Sequence, residues 1–147
     1  MREFVGEFEH ILDDKGRVII PVKFRCLLGD RFYLSISLNE TCLCAYPADE
    51  WERLSNELLR KIHPLDKEGQ KFLRIFTSSA TICEIDKQGR IFIPPILRQK
   101  GGLSSKNITL VGALSHVEIW STGSWKDLNK DVEISQLAQE IYNKGNI

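Results

Sequence analysis

The chain has 147 residues and no net formal charge, and its 42% apolar and 27% charged residues are ordinary for a soluble globular protein. No apolar run approaches the roughly 20 residues that a membrane-spanning helix needs, and the N-terminus carries charges where a secretory signal would be apolar. We therefore expect a cytoplasmic protein. A net charge of zero at first argues against a nucleic-acid partner.

One sequence motif occurs twice, at residues 13–21 and 86–94, 73 residues apart. Each copy reads D-x-x-G-R, then three apolar residues and a proline, and an arginine follows four residues later (Arg25 and Arg98). Asp and Gly favour a tight turn, the apolar triplet favours a short strand, and the proline suits the first turn of a helix. Both copies therefore predict a strand, a basic turn, a second strand and a short helix.

The repetition continues beyond the motif, since segment 31–38 resembles 107–114 and each is followed by a further strand and the start of a helix. Between the repeats, apolar residues at 3–4 spacing predict two helices. The same spacing from Ile134 to Ile141 predicts a last helix. The predicted organisation is a first domain at 7–49, a linking helical pair at 50–77, a second domain at 78–121 and a helical tail at 122–147.

The charge is unevenly distributed along the chain. Residues 13–25 hold four Lys or Arg against two Asp, and residues 86–100 hold four against one, so the two motifs carry +2 and +3. The remaining segments are all negative. Positive charge is thus concentrated in the repeated motifs, which restores nucleic acid as a candidate partner.

The paired motifs resemble the swapped-hairpin DNA-binding domains of the SpoVT/AbrB type. Two such domains, together with segments 6–10 and 79–81, resemble the MraZ family of bacterial transcriptional regulators. The resemblance runs to about Trp125 and implies an α+β fold in which tandem swapped-hairpin β-barrel domains form one pseudo-symmetric unit with linking and C-terminal helices. One departure is Gln88, which stands where the first copy has Lys15, so the two turns need not contribute equally.

The arginine of each turn is the main candidate for DNA contact, because a guanidinium can form two hydrogen bonds to guanine or grip a phosphate. A purely structural reading has these arginines only pair with the aspartates four residues earlier. The strongest candidates for DNA binding are Lys15, Arg17, Lys87 and Arg90, and the weaker ones are Lys23, Arg25, Arg98 and Lys100. The candidates for shaping the turns are Asp13, Gly16, Asp86 and Gly89.

Neither an enzyme nor a metal site is predicted. The phosphate-binding, dinucleotide-binding and nucleophile-elbow glycine motifs are all missing from the sequence. A zinc site needs four suitably spaced ligands, whereas Cys42 and Cys44 are far in sequence from every histidine. The four cysteines are expected to be reduced, and no cofactor is expected.

The resemblance implies a sequence-specific regulator that assembles as a ring-like homo-oligomer on double-stranded DNA. In the resembled family the usual role is repression from direct repeats in the promoter of the cell-division and cell-wall gene cluster, including the protein's own operon, so we expect association with the nucleoid. Two alternatives remain open. One is a ring-forming scaffold without specific DNA binding, and the other is an antitoxin-like protein that binds both DNA and a toxin.

Overall fold

The computed structural model describes residues 3–145, and within them no helix is both long and apolar enough to cross a membrane. The strands are β1 (Glu7–Ile11), β2 (Arg17–Ile19), β3 (Arg31–Ile36), β4 (Leu43–Pro47), β5 (Thr81–Glu84), β6 (Arg90–Phe92), β7 (Asn107–Gly112) and β8 (Val117–Ser121). The helices are α1 (Val22–Leu28), α2 (Ala48–Lys61), α3 (Lys67–Ser79), α4 (Pro95–Lys100), α5 (Thr122–Asn129) and α6 (Ile134–Asn143).

The two repeats exchange strands. Six strands form an antiparallel sheet in the order β1-β7-β8-β4-β3-β5, and β2 pairs with β6 in a separate two-stranded ribbon. The first strand of each repeat therefore pairs with the third strand of the other, and the ribbon takes one strand from each. This topology confirms the predicted α+β fold of two swapped hairpins in one pseudo-symmetric unit.

The main apolar core lies between the ribbon and one face of the sheet. Val18 and Ile91 of the ribbon are 1% exposed, and they belong to the same buried cluster as Leu34 and Ile119 of the sheet. Leu97 of α4 closes the cluster from one side. Each such side chain contributes about 1.5–3 kcal/mol when it is fully buried, so the ribbon is held on the sheet mainly by these contacts.

Helices cover the opposite face of the sheet. The ring of Trp51 on α2 stacks on Tyr33 of β3 with centroids 5.0 Å apart, and on Phe76 of α3 with centroids 5.5 Å apart. On the second repeat, Trp125 of α5 packs on Trp120 of β8 at 5.4 Å. The predicted linking helices are therefore present, and their aromatic residues pack on the sheet.

The tail forms two helices, α5 and α6. The apolar spacing from Ile134 to Ile141 predicted α6, and the repetition predicted only the start of α5. The chain turns between them at Asp131, which has a positive φ of 61°. Helix α6 has no buried residue, and its apolar side chains Ile134 and Leu137 are exposed. Residues 146 and 147 of the predicted tail lie outside the described residues.

Candidate nucleic-acid interface

Each basic turn is organised by its aspartate. Oδ1 of Asp13 accepts hydrogen bonds from the backbone N–H groups of Lys15 at 2.9 Å and Arg17 at 2.8 Å. Oδ1 of Asp86 accepts the corresponding two bonds in the second turn, both at 2.9 Å. The backbone N–H of the arginine, together with these other donors, lowers the pKa of each aspartate below its usual value of 3.8. Both turns therefore keep an ionised carboxylate at neutral pH.

A glycine completes each turn. Gly16 and Gly89 have φ values of 82° and 79°, in the left-handed region that side chains disfavour. The N–H of Gly16 donates to the carbonyl oxygen of Asp13 at 3.0 Å, which closes the turn. The carbonyl of each glycine also accepts from the other repeat, since Ile20 N–H donates to Gly89 at 2.9 Å and Ile93 N–H donates to Gly16 at 2.8 Å. The two turns are thus fixed to each other as well as internally.

The arginines of the turns make one ion pair each and leave the rest of the guanidinium available. Nε of Arg17 lies 2.8 Å from Oδ2 of Asp13, and Nε of Arg90 lies 2.9 Å from Oδ2 of Asp86. The arginine side chains are 31% and 26% exposed. Among residues 3–145, the terminal nitrogens have no hydrogen-bond partner. Pairing with aspartate therefore orients these arginines without using the two groups that would bind a base or a phosphate.

The ribbon presents both arginines on its exposed face. Its register pairs Arg17 with Phe92 and Ile19 with Arg90, so these four side chains share the face that points away from the core. Ile19 is 43% and Phe92 is 51% exposed. The two arginines are diagonal neighbours across the ribbon, and the backbones of such a pair are typically about 7–8 Å apart. A two-stranded ribbon of this kind fits a DNA major groove, which is about 12 Å wide.

Two further arginines cross from one repeat to the turn of the other. Arg25 of α1 lies against Gly89, where a Cβ atom would collide with its guanidinium. Arg98 of α4 lies against Gly16, where a Cβ atom would stand 3.0 Å from its Cζ. Nε of both arginines is buried without a hydrogen-bond partner among the described residues. The sequence predicted these residues on helix faces, as weaker candidates for DNA binding, and it did not indicate that they reach the opposite turn.

The other weaker candidates lie on the surface of the same helices. Lys23 of α1 and Lys100 of α4 are exposed. They are solvated side chains, whereas Arg25 and Arg98 are packed against the glycines of the turns.

Sequence reasoning missed Lys106, whose Nζ lies 2.7 Å from Oδ1 of Asp14 in the first turn. The two residues are 92 positions apart, so no local pattern could have paired them. The first turn gathers Lys15, Arg17, Arg98 and Lys106 against Asp13 and Asp14, and the second gathers Lys87, Arg90 and Arg25 against Asp86. Four cations against two carboxylates and three against one give both turns a charge of +2. The folded chain therefore gives the two turns the same charge, although residues 13–17 alone sum to zero and residues 86–90 alone to +1.

Comparison with known proteins agrees with this architecture. The family model described as "MraZ protein, putative antitoxin-like" matches residues 4–74 and 76–141. The chain is 46% identical to the transcriptional regulator MraZ of Lachnoclostridium phytofermentans over 128 residues, which cover 87% of this chain and 88% of the relative. It is 44% identical to the regulator of the same name from Desulfitobacterium hafniense (strain Y51) over 144 residues, with 97% and 99% coverage. For the Caldicellulosiruptor bescii regulator the identity is 41% over 143 residues, with 96% and 98% coverage.

These matches span both repeats and nearly the whole length of the relatives. They confirm the family resemblance that the repeated motif indicated. They also confirm the prediction of a transcriptional regulator rather than an enzyme. The chain belongs to the MraZ family.

Proposed function

We propose that this protein is a sequence-specific DNA-binding transcriptional regulator, and that the exposed face of the β2–β6 ribbon is its DNA-reading surface. The observation that supports this most directly is the pair of arginines on that face. Each is oriented by an aspartate, and the terminal nitrogens of each have no hydrogen-bond partner within the described part of the chain. The relatives with 41–46% identity are named transcriptional regulators.

The side chains on and around the ribbon divide into different roles. Arg17 and Arg90 reach base edges, where a bidentate contact to guanine supplies discrimination. Lys15 and Lys87 are exposed beside them and contact phosphates as point charges, which makes binding sensitive to salt. Phe92 and Ile19 lie between the arginines and can meet thymine methyl groups.

Exposed apolar side chains on α6 and on the linking helices support self-association of the chain. Helix α6 exposes an apolar stripe, and Leu59 and Ile75 on the linking helices are 64% and 45% exposed. A ring of subunits would present many ribbons to short direct repeats, and linked contacts raise the effective concentration of each further contact. The role that we propose is repression by promoter occlusion at the cell-division and cell-wall gene cluster, including the protein's own operon, by a cytoplasmic protein associated with the nucleoid.

The test is fluorescence anisotropy on the DNA directly upstream of the protein's own gene, beside a scrambled duplex, at two salt concentrations. Loss of one bidentate contact costs about 1–3 kcal/mol, so Arg17→Ala and Arg90→Ala should each weaken specific binding by roughly 5- to 150-fold. Arg74→Ala is the matched control, because Arg74 is an exposed arginine of α3 on the opposite side of the sheet.

The alternatives predict other results. Equal, weak binding of the wild type to both duplexes would favour the scaffold, and specific binding that survives both ribbon substitutions would place the DNA-reading surface elsewhere. The family description includes the words antitoxin-like. An antitoxin-like role would require a protein partner that competes with DNA for the ribbon.

A further inference from the structure

A second cluster of reactive side chains lies on the face of the sheet opposite the ribbon. The sulfur atoms of Cys42 and Cys44 and a carboxylate oxygen of Glu118 all lie within 4.8 Å of one another. The pairing of β4 with β8 creates this cluster, because Cys44 stands directly opposite Glu118 in the register. Cys42 lies immediately before β4. The cluster therefore joins the first repeat, which supplies the sulfurs, to the second, which supplies the carboxylate.

A histidine stands at the edge of the cluster. Nε2 of His116 lies 3.6 Å from Oε2 of Glu118, and its ring centroid lies 5.1 Å from that of Tyr46. The sequence indicated no metal site because every histidine is far along the chain from Cys42 and Cys44. That separation disappears in the folded chain, since His116 directly precedes β8. Two sulfurs and one oxygen are thus grouped within 4.8 Å, and one nitrogen lies at the edge of the group, 3.6 Å from the carboxylate of Glu118.

The cysteines of the cluster are buried, and the side chains of Glu118 and His116 are held by further hydrogen bonds. Cys42 and Cys44 are 1% and 2% exposed. Glu118 Oε1 accepts a hydrogen bond from Nε1 of Trp120 at 3.0 Å, and Nδ1 of His116 is hydrogen-bonded to the Ser115 hydroxyl at 3.0 Å. Such outer hydrogen bonds are what orient the ligands of protein metal sites. They leave Oε2 of Glu118 and Nε2 of His116 directed toward each other.

We propose that these residues form a zinc site, with Cys42, Cys44 and Glu118 as ligands and His116 as the fourth. Two thiolates with nitrogen and oxygen donors in tetrahedral arrangement suit Zn²⁺. Two Zn–S bonds of about 2.3 Å at a tetrahedral angle hold their sulfurs roughly 3.8 Å apart. The sulfurs of Cys42 and Cys44 lie within 4.8 Å of each other, so they need to approach by at most about an ångström. The site is structural, because four protein ligands leave no open position for a substrate.

A disulfide between the same two cysteines is the competing explanation of the cluster. A disulfide would join only the two sulfurs and would leave the carboxylate of Glu118 and the ring of His116 without a role, whereas a zinc ion takes all four donors.

The test uses the full chain, stripped of metal with a chelator under reducing conditions and titrated with Zn²⁺ against a chromophoric competitor. We expect one zinc ion per chain, and, with Co²⁺ as the probe, the absorption of a tetrahedral cobalt–thiolate centre. Cys42→Ser and Cys44→Ser should weaken binding by more than about 100-fold. Trp120→Phe, which removes an outer hydrogen bond together with part of the ring that packs on Trp125, should weaken it by roughly 10-fold. Cys26→Ser is the control, because Cys26 is exposed and outside the cluster.

Several outcomes would overturn the proposal. They are substoichiometric or non-tetrahedral metal binding by the wild type, an equal loss in Cys26→Ser, or a mass lower by two hydrogens that shows a Cys42–Cys44 disulfide in the isolated protein. If a serine variant fails to fold, Glu118→Gln and His116→Asn serve the same purpose, and retention of full affinity in both would refute the ligand set. Because the cluster and the ribbon are on opposite faces of the sheet, Cys44→Ser should leave DNA anisotropy within about twofold of the wild type.

Discussion

Adjacent residues of β6 offer a stringent test of the ribbon, because they point in opposite directions. Ile91 is 1% exposed in the core, while Phe92 is 51% exposed beside the arginines. Truncating a buried isoleucine to alanine costs about 2–5 kcal/mol through lost burial and the cavity left behind. A surface substitution costs about 0.5 kcal/mol or less. Ile91→Ala should therefore strongly destabilise the fold, whereas Phe92→Ala should barely change its free energy of unfolding.

Both variants can be compared by thermal and by urea denaturation followed by tryptophan fluorescence, at one protein concentration since association would shift the midpoint. For a chain of this size, each kcal/mol of lost stability lowers the melting temperature by about 2–4 °C. Ile91→Ala should therefore melt roughly 4–20 °C below the wild type. Phe92→Ala should instead weaken DNA binding at unchanged stability. If Phe92→Ala destabilises as much as Ile91→Ala, then that face is packed against protein and cannot be the surface that reads DNA.

Three further predictions concern the turns and the exchange of strands. A chain cut after Pro64 should give two fragments that are each largely unfolded by circular dichroism, and that regain β structure when mixed; an independently folded fragment would contradict the exchange. Gly89→Ala should cost about 1–2 kcal/mol for a left-handed residue, plus the displacement of Arg25, so Arg25→Ala should be less harmful in the Gly89→Ala background than in the wild type. The carboxyl group of Asp13, followed by NMR, should titrate below pH 3.8 in the wild type and also in Arg17→Ala, because the leading cause is a backbone N–H that alanine retains. Since this folded-state pKa is lowered, the turn loses stability as the pH falls through it. A pKa of Asp13 at its usual value in Arg17→Ala would instead assign the lowering to the arginine side chain.

Local structure could be predicted from the sequence because its causes are local. The turn before Arg17 follows from Asp13 and Gly16, and the helix after it follows from Pro21. The spacing from Trp51 onward identified α2 because an amphipathic helix repeats every 3.6 residues. The family resemblance then supplied the swap of hairpins.

The long-range contacts could not be predicted from the same information. In a repeated sequence, pairing within a half and between halves satisfies the same apolar pattern, so the pattern alone did not pair β1 with β7 or β2 with β6. For the same reason Arg98 could be assigned to a helix face but not to the opposite turn. The position of His116 beside Glu118 and Cys44 also depends on the pairing of β4 with β8, which are contributed by different repeats.

The exchange of strands has a consequence for synthesis on the ribosome. Strand β1 is complete within the first 11 residues, but its partner β7 ends at Gly112. At about 5–20 residues per second, β1 waits roughly 5–20 s for that partner. During this interval the nascent first repeat carries an unpaired sheet edge and a single ribbon strand, which are templates for pairing with other chains. The protein therefore folds only when most of it has been translated, and neighbouring nascent copies compete with its own second half for the same edges.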